Sequence, residues 1–142
     1  MGVRFIALVL LLGALWDAFT TFRGVAEFFD LAMTAKLNPT QFIFAFVVTF
    51  VVFGFVMASH FIWSFKAEDI TVILVRIAWG LCLVIDLYTS WRGTKTYVFA
   101  DADTDGAQAG GLVLVTFLIV SSTLLLSRIL LAKDLKGKPF LF

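Results

Sequence analysis

The sequence predicts an all-α integral membrane protein of four transmembrane helices, built as two tandem helical hairpins of the same orientation. Three observations lead there: the composition, the lengths of the apolar runs and an internal repeat. Hydrophobic residues make up 61% of the 142-residue chain, which carries 17 Phe and has a mean hydropathy of +1.02. Ordinary globular domains are roughly 45–50% apolar, so this excess suits lipid rather than water.

The apolar runs are Phe5 to Phe22, Phe42 to Phe65, Ile70 to Trp91 and Gly111 to Ala132. Each has about the 17 to 25 residues that a helix needs to cross a hydrocarbon core of roughly 30 Å. The first helix is expected over about residues 5–22. Its sequence, "MGVRFIALVLLLGALWDAF", has the charge and apolar order of a secretory leader. Because it recurs inside the chain, it is expected to be kept as a membrane helix. "MGVRFI" lacks the hydroxyl residue of a myristoylation signal.

The loop that follows, "RGVAEFFDLAMTAKLNPT", has Val25, Phe28, Phe29, Ala32 and Met33 at near-helical spacing. It reads either as a short interfacial helix or as a continuation of the first helix beyond the bilayer. Asn38-Pro39 reads as cap and first residue of the second helix, about residues 41–65, since Pro needs no amide partner there. The third helix is expected over about 70–91. In the next loop, "RGTKTYVFADADTDGAQAGG", an ordered but non-helical middle is expected. The fourth helix, about 111–132, leads into a basic then apolar tail, "AKDLKGKPFLF", which fits anionic headgroups or a partner.

The repeat lies in "WDAFTTFRG" (16–24) and "IDLYTSWRG" (85–93). At an offset of 69, seven of eight consecutive positions from the Asp onward are identical or similar, ending in Arg23-Gly24 and Arg92-Gly93. The second helices align more loosely, through "VTF" at 48 and 115. The chain therefore divides into a first hairpin, residues 1–66, and a second, residues 67–142. One helix separates each matched pair, so the copies point the same way, unlike inverted-repeat carriers.

Seven basic residues gather on one side (Arg4, Lys66, Arg76, Arg128, Lys133, Lys136 and Lys138) against four on the other (Arg23, Lys36, Arg92 and Lys95). This places the N- and C-termini in the cytoplasm. The formal net charge of +1 gives no basic footprint for nucleic acid.

Helical spacing puts Asp17, Thr20, Thr21 and Gly24 on one stripe and Asp86, Thr89, Ser90 and Gly93 on its counterpart. Two uses fit this pattern. Small and hydroxylated residues let helices approach and hydrogen-bond, which makes the stripe an assembly face. Carboxylates inside spans also mark ion paths, which makes it a cation route or proton-exchange site near the outer mouth. Arg23 and Arg92 lie about 240° around the helix from their own Asp and are expected to serve a neighbouring helix or a lipid phosphate.

Other candidates are fewer. "DADTDG" at 101–106 opens like a calcium loop, with Asp101, Asp103 and Asp105 as ligands, but position 12 is Leu112 instead of a bidentate Glu. Ca2+ is the one cofactor the sequence suggests, and the acidic solvated loop is its bland counterpart. His60 is the lone histidine, which excludes multi-histidine metal or haem ligation within the chain and leaves a polar contact with a facing helix. Arg76 is expected to snorkel to the boundary near Asp69. Cys82 is the lone cysteine and forms no intrachain disulfide.

No nucleophile, base and orienter set is visible, nor a phosphate loop. The expected function is a non-enzymatic integral membrane protein acting as an oligomerising or accessory subunit. Its expected partners are membrane lipids and either copies of itself or other membrane subunits. The alternative is an oligomeric cation channel with Asp17 and Asp86 near its outer mouth.

Overall fold

The structure, a computed structural model, describes residues 2–31, 38–66, 69–99 and 106–131. It is all-helical, and four helices are long and apolar enough to cross a membrane. They are α1 (Gly2–Phe28), α2 (Pro39–Met57), α4 (Ile70–Val98) and α5 (Gly106–Leu131), with a short α3 (Ser59–Ser64) following α2. In lipid, where no water is available to exposed amides, continuous helices satisfy the backbone from within.

α1 extends six residues past the expected end at Phe22, so the near-helical spacing of the first loop marks a continuation. It stops in a Schellman turn. Asp30 takes the left-handed conformation (φ 51°), Leu31 N–H donates to Ala26 O at 2.7 Å and Asp30 N–H to Glu27 O at 3.2 Å. Leu31 then packs on the small cluster of Val25, Ala26 and Ala45, which fixes where the chain leaves the helix. α2 starts as its sequence signals. Asn38 Oδ1 accepts from Gln41 N–H at 3.2 Å and Pro39 occupies the first turn.

The continuous second helix expected to residue 65 is interrupted at Ala58. The Ser59 hydroxyl donates back to the Val56 carbonyl and accepts from Trp79 Nε1 at 2.7 Å, a side-chain alternative to the regular ladder. A second correction concerns α4, which remains helical through Val98. The β-branched and aromatic residues Thr94 to Val98 were expected to leave the helix. They stay in it because one side packs on α1: Thr94 is buried, Thr96 meets Glu27 and Tyr97 meets Phe19. The expected calcium loop, Asp101, Asp103 and Asp105, and the basic tail lie outside the described residues.

α1 touches α2, α4 and α5, and its broadest contact is with α4 rather than with its chain neighbour α2. The interior is rich in small and hydroxylated side chains, including Ala14, Thr20, Thr21, Ala45, Thr89, Ser90 and Thr123, beside a few aliphatic ones such as Val56, Val120 and Leu126. Many large side chains face outward, among them Phe44, Phe50, Leu81 and Phe117. Lipid tails are as apolar as Leu, so burying large side chains gains little there and close helix approach is what holds the bundle.

Candidate functional site

The two stripes face each other. Asp17, Thr20, Thr21 and Gly24 on α1 meet Asp86, Thr89, Ser90 and Gly93 on α4, and all eight residues are buried. The helix-packing face expected of these residues is thus formed between two helices of the same chain. Glycine makes the approach possible. A Cβ on Gly24 would overlap the Thr89 carbonyl, and one on Gly93 would overlap the Thr20 carbonyl.

The contacts are reciprocal at the offset of the repeat. Thr21 Oγ1 donates to Asp86 Oδ1 at 2.6 Å, while its counterpart Ser90 Oγ donates to Asp17 Oδ1 at 2.7 Å. Thr21 and Ser90 then meet each other, oxygen to oxygen, at 3.0 Å. Thr20 and Thr89 also occupy matching roles, each bonding back to carbonyls of its own helix: Trp16 and Asp17 for one, Ile85 and Asp86 for the other. Thr20 additionally reaches Ser90 Oγ at 3.2 Å.

The reciprocity fails at one atom. Asp17 Oδ2 accepts from Thr123 of α5 at 2.6 Å, whereas Asp86 Oδ2 is buried without a hydrogen-bond partner. Sequence reasoning did not reach Thr123. Its only signal was the hydroxyl run Ser121-Ser122-Thr123 inside an otherwise apolar helix. Ser122 was missed for the same reason, and it lies against Gly13 where α1 and α5 come close.

Asp17 and Asp86 each expose 0% of their surface and are near enough to feel each other's charge. The Cys82 thiol lies within the field of Asp86. Among the described residues no cationic side chain reaches either carboxyl. Arg23 and Arg92 are engaged elsewhere on α1 and α4. Arg92 Nε pairs with Glu27 at 3.2 Å and its Nη1 donates to Tyr88 Oη at 3.1 Å, while Thr96 donates to the other Glu27 oxygen at 2.7 Å. Arg23 lies over the Tyr97 ring at 4.3 Å. Thus each arginine contacts the other repeated helix.

At the opposite end, Arg76 donates from Nη2 to the Phe65 carbonyl at 2.9 Å and covers Trp63 at 5.0 Å. His60 joins the facing α5 through its backbone, its N–H donating to Ser127 Oγ at 3.3 Å. Among the described residues, no three His, Cys, Asp or Glu side chains converge as a metal site would require.

Clefts lie between the helices. One, of about 510 Å³, opens between Glu27, Arg92 and Lys95. Another, of about 390 Å³, is apolar and runs between Val25, Val52 and Ile85. Tyr88 borders both. Comparison with known protein families, with curated proteins and with solved structures returns no match.

Proposed function

We propose that the chain is a small non-enzymatic integral membrane protein that acts as an oligomerising or accessory subunit of a membrane complex, with both termini in the cytoplasm. The observation that carries this reading is the placement of Gly54 and Gly80. A Cβ at either would meet nothing within 4 Å. A mid-helix glycine costs about 1 kcal/mol against alanine, and among the described residues neither glycine returns any packing. A second helix approaching α2 or α4 from the membrane would use that space, as small residues do in helix association.

The same reading takes residues 1–66 and 67–142 as duplicated hairpins. Support comes from the reciprocal pairs: Gly24 against Thr89 with Gly93 against Thr20, and Thr21 on Asp86 with Ser90 on Asp17. A gene duplication of one self-associating hairpin would leave such a pseudo-two-fold contact. The Asp-Thr-Gly stripes then act as an internal clasp, and assembly with other chains falls to the outward faces of α2 and α4. The alternative of a cation channel through Asp17 and Asp86 needs both carboxylates on an aqueous path, and their full burial favours the clasp.

The test is the mass of the particle extracted from native membranes in mild detergent. A particle larger than one chain, reduced by Gly54→Leu or Gly80→Leu, supports assembly through these faces. A single-chain particle with no associated subunit would sink the reading.

A further inference from the structure

Four oxygen atoms connect the two buried carboxyls in line: Asp86 Oδ1, Thr21 Oγ1, Ser90 Oγ and Asp17 Oδ1, at 2.6, 3.0 and 2.7 Å. Each of these three links needs one hydrogen. With both carboxyls ionised, only the Thr21 and Ser90 hydroxyls supply any, so one link would hold two facing lone pairs. Thr20 cannot fill the gap. Its hydroxyl reaches Ser90 from the side and has the Asp17 and Trp16 carbonyls closer, at 3.0 and 3.1 Å.

One added proton completes all three links. We propose that the Asp17–Asp86 pair is a proton-binding site that holds a single proton, resident on Asp86, with Thr21 and Ser90 as a hydroxyl relay between the carboxyls. Protonation reverses the link in which Thr21 donates to an ionised Asp86: in the resident arrangement Asp86 Oδ1–H donates to Thr21, Thr21 to Ser90 and Ser90 to Asp17 Oδ1. The relay reverses when three O–H bonds break and three form in step: Asp86 gives its proton to Thr21, Thr21 gives its own to Ser90, and Ser90 gives its own to Asp17. One proton passes from Asp86 to Asp17, and no other species is consumed.

The unpartnered Asp86 Oδ2 independently indicates which carboxyl holds the proton. Asp17 has a donor on each oxygen, Ser90 and Thr123, as suits a buried carboxylate. Asp86 has a donor for one oxygen only, and its other oxygen is sealed from solvent. Ionised, it would leave charge on a bare oxygen; neutral, it leaves only a carbonyl oxygen, for which isolation is far less unfavourable. The missing donor has a sequence origin. At the positions of α2 that correspond to Thr123 in the looser alignment stand Phe55 and Val56, neither of which can donate.

Among the described residues, the groups around the site supply no compensating charge. α1 contributes Asp17, α4 contributes the Cys82 thiol, α5 contributes Thr123, and the buried residues of α2 are Ala45, Thr49, Val52 and Val56. Arg92 and Arg23 are engaged with Glu27 and Tyr97.

Infrared spectroscopy of the full chain in liposomes at neutral pH tests the site. The expected result is a carboxylic-acid carbonyl band with the amplitude of one group per chain, lost in Asp86→Asn. In Thr21→Val the band should move to the higher frequency of a less hydrogen-bonded acid. Absence of the band in the wild type overturns the proposal, and so does its undiminished survival in Asp86→Asn. An unchanged frequency in Thr21→Val overturns the relay. If Asp86→Asn does not fold, wild-type protein with isotope-labelled aspartate decides: one protonated aspartate per chain supports the site, and none or two overturns it.

Discussion

Thr21 on α1 faces Ser90 on α4, its own counterpart in the repeated segment, with the two hydroxyl oxygens 3.0 Å apart. The two residues hold the same position in "DAFTTFRG" and "DLYTSWRG". Two matched contacts flank that pair: Thr21 on Asp86 with Ser90 on Asp17, and Gly24 against Thr89 with Gly93 against Thr20.

Gly24→Ala and Gly93→Ala should each destabilise the bundle. The added Cβ meets a backbone carbonyl, of Thr89 or Thr20, which cannot move aside as a side-chain end could. Overpacking of this kind costs about 1–3 kcal/mol, and more where backbone must shift. Thermal unfolding in detergent should show both variants well below the wild type. Gly54→Ala, facing open space, should match or slightly exceed the wild type as a single chain.

Ser90→Ala should cost about 1–3 kcal/mol, because it takes a donor from Asp17 Oδ1 and leaves that buried oxygen unsatisfied. Thr21→Val should also destabilise, because it removes the hydroxyl partner of Asp86 Oδ1. The two hydroxyls share one network, so the double variant should lose measurably less or more than the sum of the singles. Strict additivity in a double-mutant cycle would show that the hydroxyls are not coupled.

Thr123→Val, nearly isosteric, should loosen α5 from α1 by removing the donor to Asp17 Oδ2. The expected loss is about 1–3 kcal/mol, at the upper end if the oxygen is charged. Paired with Asp17→Asn, the effect of Thr123→Val should shrink. An equal effect in both backgrounds would mean that Thr123 acts through packing alone.

Glu27→Gln should lower thermal stability only slightly, and the difference from wild type should fade as salt is raised. The Arg92–Glu27 pair is partly exposed, with side-chain accessibilities of 37% and 34%, so mobile ions screen it. A large loss that persists in high salt would reveal a role for Glu27 beyond the ion pair.

Much of this architecture was legible along the chain. The four spans follow from local hydrophobicity, and the Asn38-Pro39 start of α2 follows from the chemistry of a single turn. The eight stripe residues followed from helical spacing, and the structure brings them together. The helix ends were less legible: α1 and α4 run on to Phe28 and Val98 because each packs on the other beyond the expected boundary. The break at Ala58 depends on Ser59 meeting Trp79, twenty residues away.

By itself the sequence determined which segments are long and apolar enough to cross a membrane, and that a polar stripe is present twice. Both are one-dimensional properties, since a helix in lipid satisfies its backbone within its own segment. Only the tertiary structure decided what those stripes face. It set them against each other, gave Asp17 a donor from α5 and left Asp86 without one. That asymmetry arises because a buried polar atom takes whatever donor the neighbouring helix brings to it, and no periodicity within one helix specifies its neighbour.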